Sequence, residues 1–134
     1  MGSNASFWVA ALGSLGMVGC LAHVVLGEVF ILRPLRPESL PSSFLGDGDI
    51  TKRYLRWFWH VGSLFIGGGS LALVALGADY DRPTAPMLAR LIGLAFMGTF
   101  AAFCIVALPR PLLFLRVPQG LGLGLGGLAI WLLA

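Results

Sequence analysis

Four long apolar runs follow one another along the chain, separated by short stretches rich in Pro, Gly, Arg and Asp. They cover about residues 7–32, 54–77, 87–108, and a last stretch that begins at 112 or 119 and ends at 134. A bilayer-spanning helix needs about 20 apolar residues, so each of the first three is predicted to span. The fourth has two readings, because Pro118 disrupts a helix interior. The span then starts at Pro118 and is short, with Leu112 to Arg116 in the interface. Punctuation supports these bounds. Arg33-Pro34 ends the first helix, since a residue before proline avoids the helical region. Asp49 and Thr51 are candidate N-caps for the second helix, with Asp47-Gly48-Asp49 read as a turn and cap. Gly77 is its expected stop, and Pro86 suits the first turn of the third.

Composition turns these runs into a class. Of 134 residues, 57% are hydrophobic and 11% charged, and the mean hydropathy is +0.89. A soluble domain carries about 25% charged residues, and one small core cannot hide this much apolar surface. The excess must face lipid, which excludes a soluble enzyme, a disordered tail and a nucleic-acid binder. The expected fold is all-α: a polytopic integral membrane protein with four transmembrane helices in an up-down bundle. It forms a single domain over residues 1–134, with a cytoplasmic loop at 33–53.

Charge sets the orientation. Arg33, Arg36, Lys52, Arg53, Arg56, Arg110 and Arg116 flank or fill loops one and three, whereas loop two has only Arg82 and Arg90. By the positive-inside rule this seven-to-two bias puts loops one and three in the cytoplasm and both termini outside. Trp8, Tyr80 and Trp131 fall at the outer aromatic belt, and Tyr54, Trp57 and Trp59 at the inner one. Eight of nine basic residues are Arg, with abundant Gly and Ala, a usage that points to a GC-rich bacterial genome and so to a bacterial inner membrane. Met17-Val18-Gly19-Cys20 resembles a lipoprotein cleavage box, but no basic stretch precedes it and the apolar run continues past it.

Ionisable residues at membrane depth are costly and mark function by default. His23, Glu28 and His60 lie inside the first two runs, with Arg56 near the surface. At 1.5 Å per residue, His23 lies about 15 Å above Arg33 and His60 about 10 Å above Arg53. In antiparallel helices this is one broad layer, with Glu28 and Arg56 closer to the cytoplasm. Arg56, His60, Ser63, Gly67 and Ser70 share a stripe at spacings of three and four. Gly13, Gly16, Cys20, His23 and Gly27 form a matching small-residue stripe, and such stripes let membrane helices approach closely. The two stripes are expected to face each other; Glu28, five residues from His23 and roughly 140° around the helix, faces a different neighbour or reaches sideways to Arg56.

Several chemistries fit this layer. Glu28 and Arg56 can form a structural ion pair, and the histidines interhelical hydrogen bonds. The same groups can handle protons or cations, because desolvation moves carboxyl and imidazole groups towards exchange near neutral pH. Two histidines at similar depth can also ligate one haem b. Cys20, His23 and His60 make a further candidate metal set, without CxxC or HxxxH spacing. No catalytic constellation occurs, so catalysis is not expected. Cys20 and Cys104 read as packing residues rather than a disulfide.

Glycine is abundant, with 19 residues. Gly67 to Gly69 sit mid-span in helix two. In helix four, Gly120, Gly122, Gly124, Gly126 and Gly127 give two overlapping GxxxG patterns on different faces. Close helix contacts are expected at Gly124 and Gly126, within the chain or in a homo-oligomer or larger membrane complex.

His23-Val-Val-Leu-Gly27-Glu28, Arg33-Pro34-Leu35 and Arg56-Trp-Phe-Trp59-His60-Val-Gly-Ser63 together resemble a pattern in small uncharacterised four-helix bacterial inner-membrane proteins. The likeness covers helices one and two and implies an architecture but no activity. The chain has the size of small multidrug transporters, yet lacks the deep mid-span Glu in helix one that they would need. The leading expectation is transport or permeation of a proton, cation or small solute through the His23/Glu28/Arg56/His60 layer. The alternatives are a non-catalytic accessory or anchor subunit and a bis-histidine haem b electron-transfer subunit.

Overall fold

The computed structural model describes residues 2–42, 46–107 and 118–134. It contains four helices: α1 (Gly2–Gly27), α2 (Gly48–Ala78), α3 (Ala85–Ala107) and α4 (Pro118–Leu133). A π turn, Glu28–Leu32, continues α1, and a 3₁₀ turn, Pro37–Ser39, lies between α1 and α2. Three stretches, Asn4–Leu32, Gly48–Ala78 and Ala85–Ile105, are long and apolar enough to cross a membrane. The described helix α4 begins at Pro118, where the absent N–H costs nothing. Leu112 to Arg116, expected at the interface, lie outside the described residues.

Helix α2 starts six residues earlier than the apolar pattern predicts. The cap is Asp47, not Asp49 or Thr51: its Oδ1 accepts from the Ile50 N–H at 3.2 Å. Neither apolar content nor charge marks that start, because the first turns of α2 are amphipathic and carry Lys52 and Arg53. At 1.5 Å per residue α2 is roughly 46 Å long, well beyond the roughly 30 Å of a hydrocarbon core. Losing this cap should cost about 1 kcal/mol. Asp47→Ala is therefore expected to lower the melting temperature by a few degrees without changing the oligomeric state, which a fluorescence melt in detergent would show.

The helices pack as two close antiparallel pairs. Along α1 and α2, Ala10 meets Gly77, Gly13 meets Ser70 and Val74, Cys20 meets Gly67, and Gly27 meets Trp59. Partner numbers fall as α1 numbers rise. Along α3 and α4, Gly93 meets Gly127, Phe100 meets Gly124 and Phe103 meets Gly120. Gly77, expected as a stop, is internal to α2, which ends one residue later at Ala78. A side chain at Gly77 would strike Ala10 and the Ser6 carbonyl, so its role is packing.

The buried core is small: Val9, Leu73, Ala89, Phe96 and Ile130 join the two pairs. Outside it, many large apolar side chains are exposed, Leu64 at 75% and Leu132 at 71%. Between α2 and α3, Arg82 pairs with Asp79. Tyr80 Oη donates to the Ala134 carbonyl at 2.9 Å, tying the end of α2 to the end of α4.

Candidate functional site

The site begins with a change in helix geometry. At Gly27 the α-helical repeat of α1 gives way to the π turn, closed by the Arg33 N–H donating to the Glu28 carbonyl at 2.9 Å. Single π turns occur often at functional positions. Here the wider turn carries Arg33 back over Glu28, with Arg33 Nε 3.8 Å from Glu28 Oε1. Lys52 Nζ donates to the Arg33 carbonyl at 3.5 Å, fastening this end of α1 to α2.

Glu28 is the centre of the arrangement. Arg56 Nη2 donates to its Oε1 at 2.8 Å, and His60 Nε2 lies 3.7 Å from its Oε2. Arg56 and His60 are one helical turn apart on α2, so a single face reaches the carboxylate from two levels. The carboxylate is the least exposed member, at 24% of its side chain against 46% for Arg56 and 41% for His60. Glu28 Oε2 is buried and receives no hydrogen bond among the described residues. His60 is the group beside it, at ion-pair rather than hydrogen-bond distance. One carboxylate thus faces two guanidinium groups and an imidazole, an excess of positive charge on one side of the helix pair.

His23 belongs to a different arrangement. Its ring stacks on Trp59, with centroids 4.2 Å apart and planes at 2°. Trp59 Nε1 donates to the His23 carbonyl at 3.3 Å. The indole fits because Gly27 has no side chain; a Cβ there would fall inside the Trp59 ring. Ser63 is buried beside this stack. Its hydroxyl bonds back to the Trp59 carbonyl at 2.8 Å, and its own carbonyl accepts from Cys20 Sγ at 3.1 Å.

The single polar layer expected from helical depth is therefore two neighbouring groups. Glu28, Arg56 and His60 meet, with Arg33 added. His23, Trp59, Ser63 and Cys20 line the helix contact. Trp59, expected at the depth of the inner aromatic belt, packs on His23 in the helix contact, a place marked by its alignment with Gly27 across an antiparallel pair. The Cys20/His23/His60 metal set is not assembled, since Cys20 turns to Ser63 and His60 to Glu28. No cluster of three metal-binding side chains occurs among the described residues. A haem b between the two histidines does not fit either. The His23 ring lies flush on Trp59, the His60 nitrogen faces Glu28, and the helices touch through glycine along the intervening length.

The packing glycines divide as well. A Cβ at Gly13 would meet the Ser70 carbonyl at 2.7 Å and the Val74 nitrogen at 2.8 Å. At Gly16 it would meet Ser70 Oγ, and at Gly67 it would lie 3.1 Å from Cys20 Sγ. Gly120 and Gly124 carry the rings of Phe103 and Phe100. Gly126 differs from expectation: a Cβ there meets nothing within 4 Å. The tight contact of α4 runs through Gly120, Gly124 and Gly127, the face turned to α3. The chain matches no protein-family model, no curated protein and no solved structure.

Proposed function

We propose that the chain is a bacterial inner-membrane protein, its four helices forming an up-down bundle with both termini outside, that moves a proton, alone or with a small solute. The observation that carries this reading is the Glu28 carboxylate held between Arg56 and His60. The His60 imidazole can carry a proton on either ring nitrogen, and Glu28 Oε2 is the acceptor atom beside its Nε2. The surrounding charge narrows the transported species. Arg33 and Arg56 outnumber the one carboxylate, so a metal cation approaching the layer meets a repulsive field. A proton exchanging between His60 and Glu28, or a neutral or anionic solute attracted by the arginines, fits that field better. The seven-to-two bias of basic residues supports placing this layer near the cytoplasmic surface.

The accessory-subunit reading rests on a different observation. Cβ atoms at Gly62, Gly68 and Gly98 would meet nothing, although glycines in lipid-level helices usually mark close helix approach. A second helix docked there, from another copy or another protein, would use them. Purification in mild detergent separates the readings: a stoichiometric partner supports the accessory role, and an isolated chain that sustains flux supports transport.

Orientation has its own test. A reporter that works only when exported, fused after Ala134, is expected to be active. Activity from a cytoplasm-only reporter at that position would reverse the sidedness of the Glu28 layer.

A further inference from the structure

Helix α2 exceeds the thickness of a hydrocarbon core by about 16 Å, and its amphipathic first turns are the part left over. In a spanning helix those turns stand at the depth of the lipid headgroups. Ile50, Arg53, Tyr54 and Trp57 line an open groove there. Their spacing of three and four residues puts them on one face of α2.

The basic groups at this end of the helix pair are not equivalent. Arg56 and Arg33 face Glu28, and Lys52 donates to the Arg33 carbonyl. The exposed Arg53 side chain makes no ion pair or hydrogen bond with any of the described residues, Asp49 one turn away included. Past Trp57 the same face continues through Val61 and Leu64, both exposed. A Cβ at Gly68, the next position on it, would meet nothing within 4 Å. From Arg53 to Leu64 the helix rises about 16 Å, close to the depth of one leaflet. The face thus joins an unpaired cation, two interfacial aromatic rings and an open apolar lane, in that order. It is complementary in charge to an anion that carries its own hydrocarbon. A free inorganic anion would meet the guanidinium and leave the lane bare.

We propose that this face binds an anionic glycerophospholipid, with its phosphate on Arg53, its glycerol region against Tyr54 and Trp57, and an acyl chain along Val61 and Leu64. Arginine suits the phosphate because its planar fork can donate two parallel hydrogen bonds. The site needs the membrane placement of the chain but not the proton-handling layer, since none of Glu28, Arg56 and His60 lines the groove.

The test uses the full chain in a neutral detergent, titrated with phosphatidylglycerol or with phosphatidylcholine of the same acyl chains. Native mass spectrometry counts the bound lipids. Phosphatidylglycerol is expected to bind saturably and roughly fivefold tighter than phosphatidylcholine, the scale set by one arginine at an anionic lipid surface. Arg53→Gln should abolish that preference and leave the melting temperature unchanged, because the side chain holds nothing in the fold. Arg36→Gln removes the same charge from the same end of the chain, outside the groove, and should keep the preference. Glycerol phosphate, an anion without chains, should not displace the bound lipid. Equal binding of the two lipids, or a preference that survives Arg53→Gln, overturns the proposal. So does an equal loss in Arg36→Gln, which would show diffuse charge, or displacement by glycerol phosphate, which would show a site for the anion alone. Proton flux is read separately, so failure of either reading leaves the other standing.

Discussion

Gly13→Leu is expected to separate α1 from α2 and to produce a large loss of stability. The new side chain would meet the backbone of Ser70 and Val74 at 2.7 and 2.8 Å, and the Leu73 Cβ at 2.9 Å. A side-chain clash can relax by rotation, but backbone held in a helix cannot. The helices must move apart along the length of the stripe, losing contacts at Gly16, Cys20 and Gly27 as well. Overpacking costs about 1–3 kcal/mol where side chains can yield, so about 3 kcal/mol is a reasonable floor here. A fall of roughly 10 °C in melting temperature follows for a chain of this size. Gly62→Leu is the matched control. Its Cβ meets nothing, and leucine favours helix over glycine by up to about 1 kcal/mol, so the variant should melt at or slightly above the wild type. Equal melting of Gly13→Leu and Gly62→Leu would show that the helices are not in backbone contact.

The second large effect concerns Glu28. Glu28→Gln keeps the shape of the side chain and removes the only anion that faces Arg56, Arg33 and His60 among the described residues. Breaking a fully buried pair costs about 3–5 kcal/mol. These partners are partly exposed, so a loss of about 1–2 kcal/mol is expected. Removing the unmatched charge in turn, as in Glu28→Gln with Arg56→Gln, should recover part of that stability. A thermal or denaturant cycle over the wild type, both single variants and the double variant measures the coupling. If Glu28 serves only as a tether, the double variant recovers whatever function the single one loses. Under the proton-handling account, stability recovers and flux does not. Independent, additive losses in the cycle would mean that the 2.8 Å contact contributes little.

Much of the architecture is legible in the apolar runs, because helix length and lipid-facing hydrophobicity are one-dimensional properties. Azimuth is not. His23 and His60 share a depth, which spacing along each helix gives. Which neighbour each ring faces depends on the rotation of the helices, and the Gly27–Trp59 contact fixes that rotation. Gly124 and Gly126 each complete a GxxxG pattern, on different faces of the helix. Only the position of Phe100 decides that one is packed and the other open. The π turn at Glu28 leaves no mark in composition, yet it brings Arg33 to the carboxylate. The start of α2 at Gly48 lies outside the apolar run that defines a span, because its first turns are polar on one side; the Asp47-Gly48-Asp49 turn marks it, but spacing did not choose Asp47 over Asp49 or Thr51 as the cap. The pairing of Glu28 with Arg56 was half readable: in antiparallel helices the two charges fall near one depth and a buried carboxylate needs a partner, but spacing alone left a different neighbour open.

The central claim is that Glu28 and His60 together handle a proton within the membrane. The most direct measurement is proton flux into proteoliposomes after a pH jump, with an internal pH dye, for the wild type, Glu28→Gln and His60→Ala reconstituted at equal density. The account predicts flux above that of empty liposomes for the wild type, and loss to the empty-liposome level for both folded variants. Wild-type liposomes that take up protons no faster than empty ones, or variants that keep the wild-type rate, would contradict it.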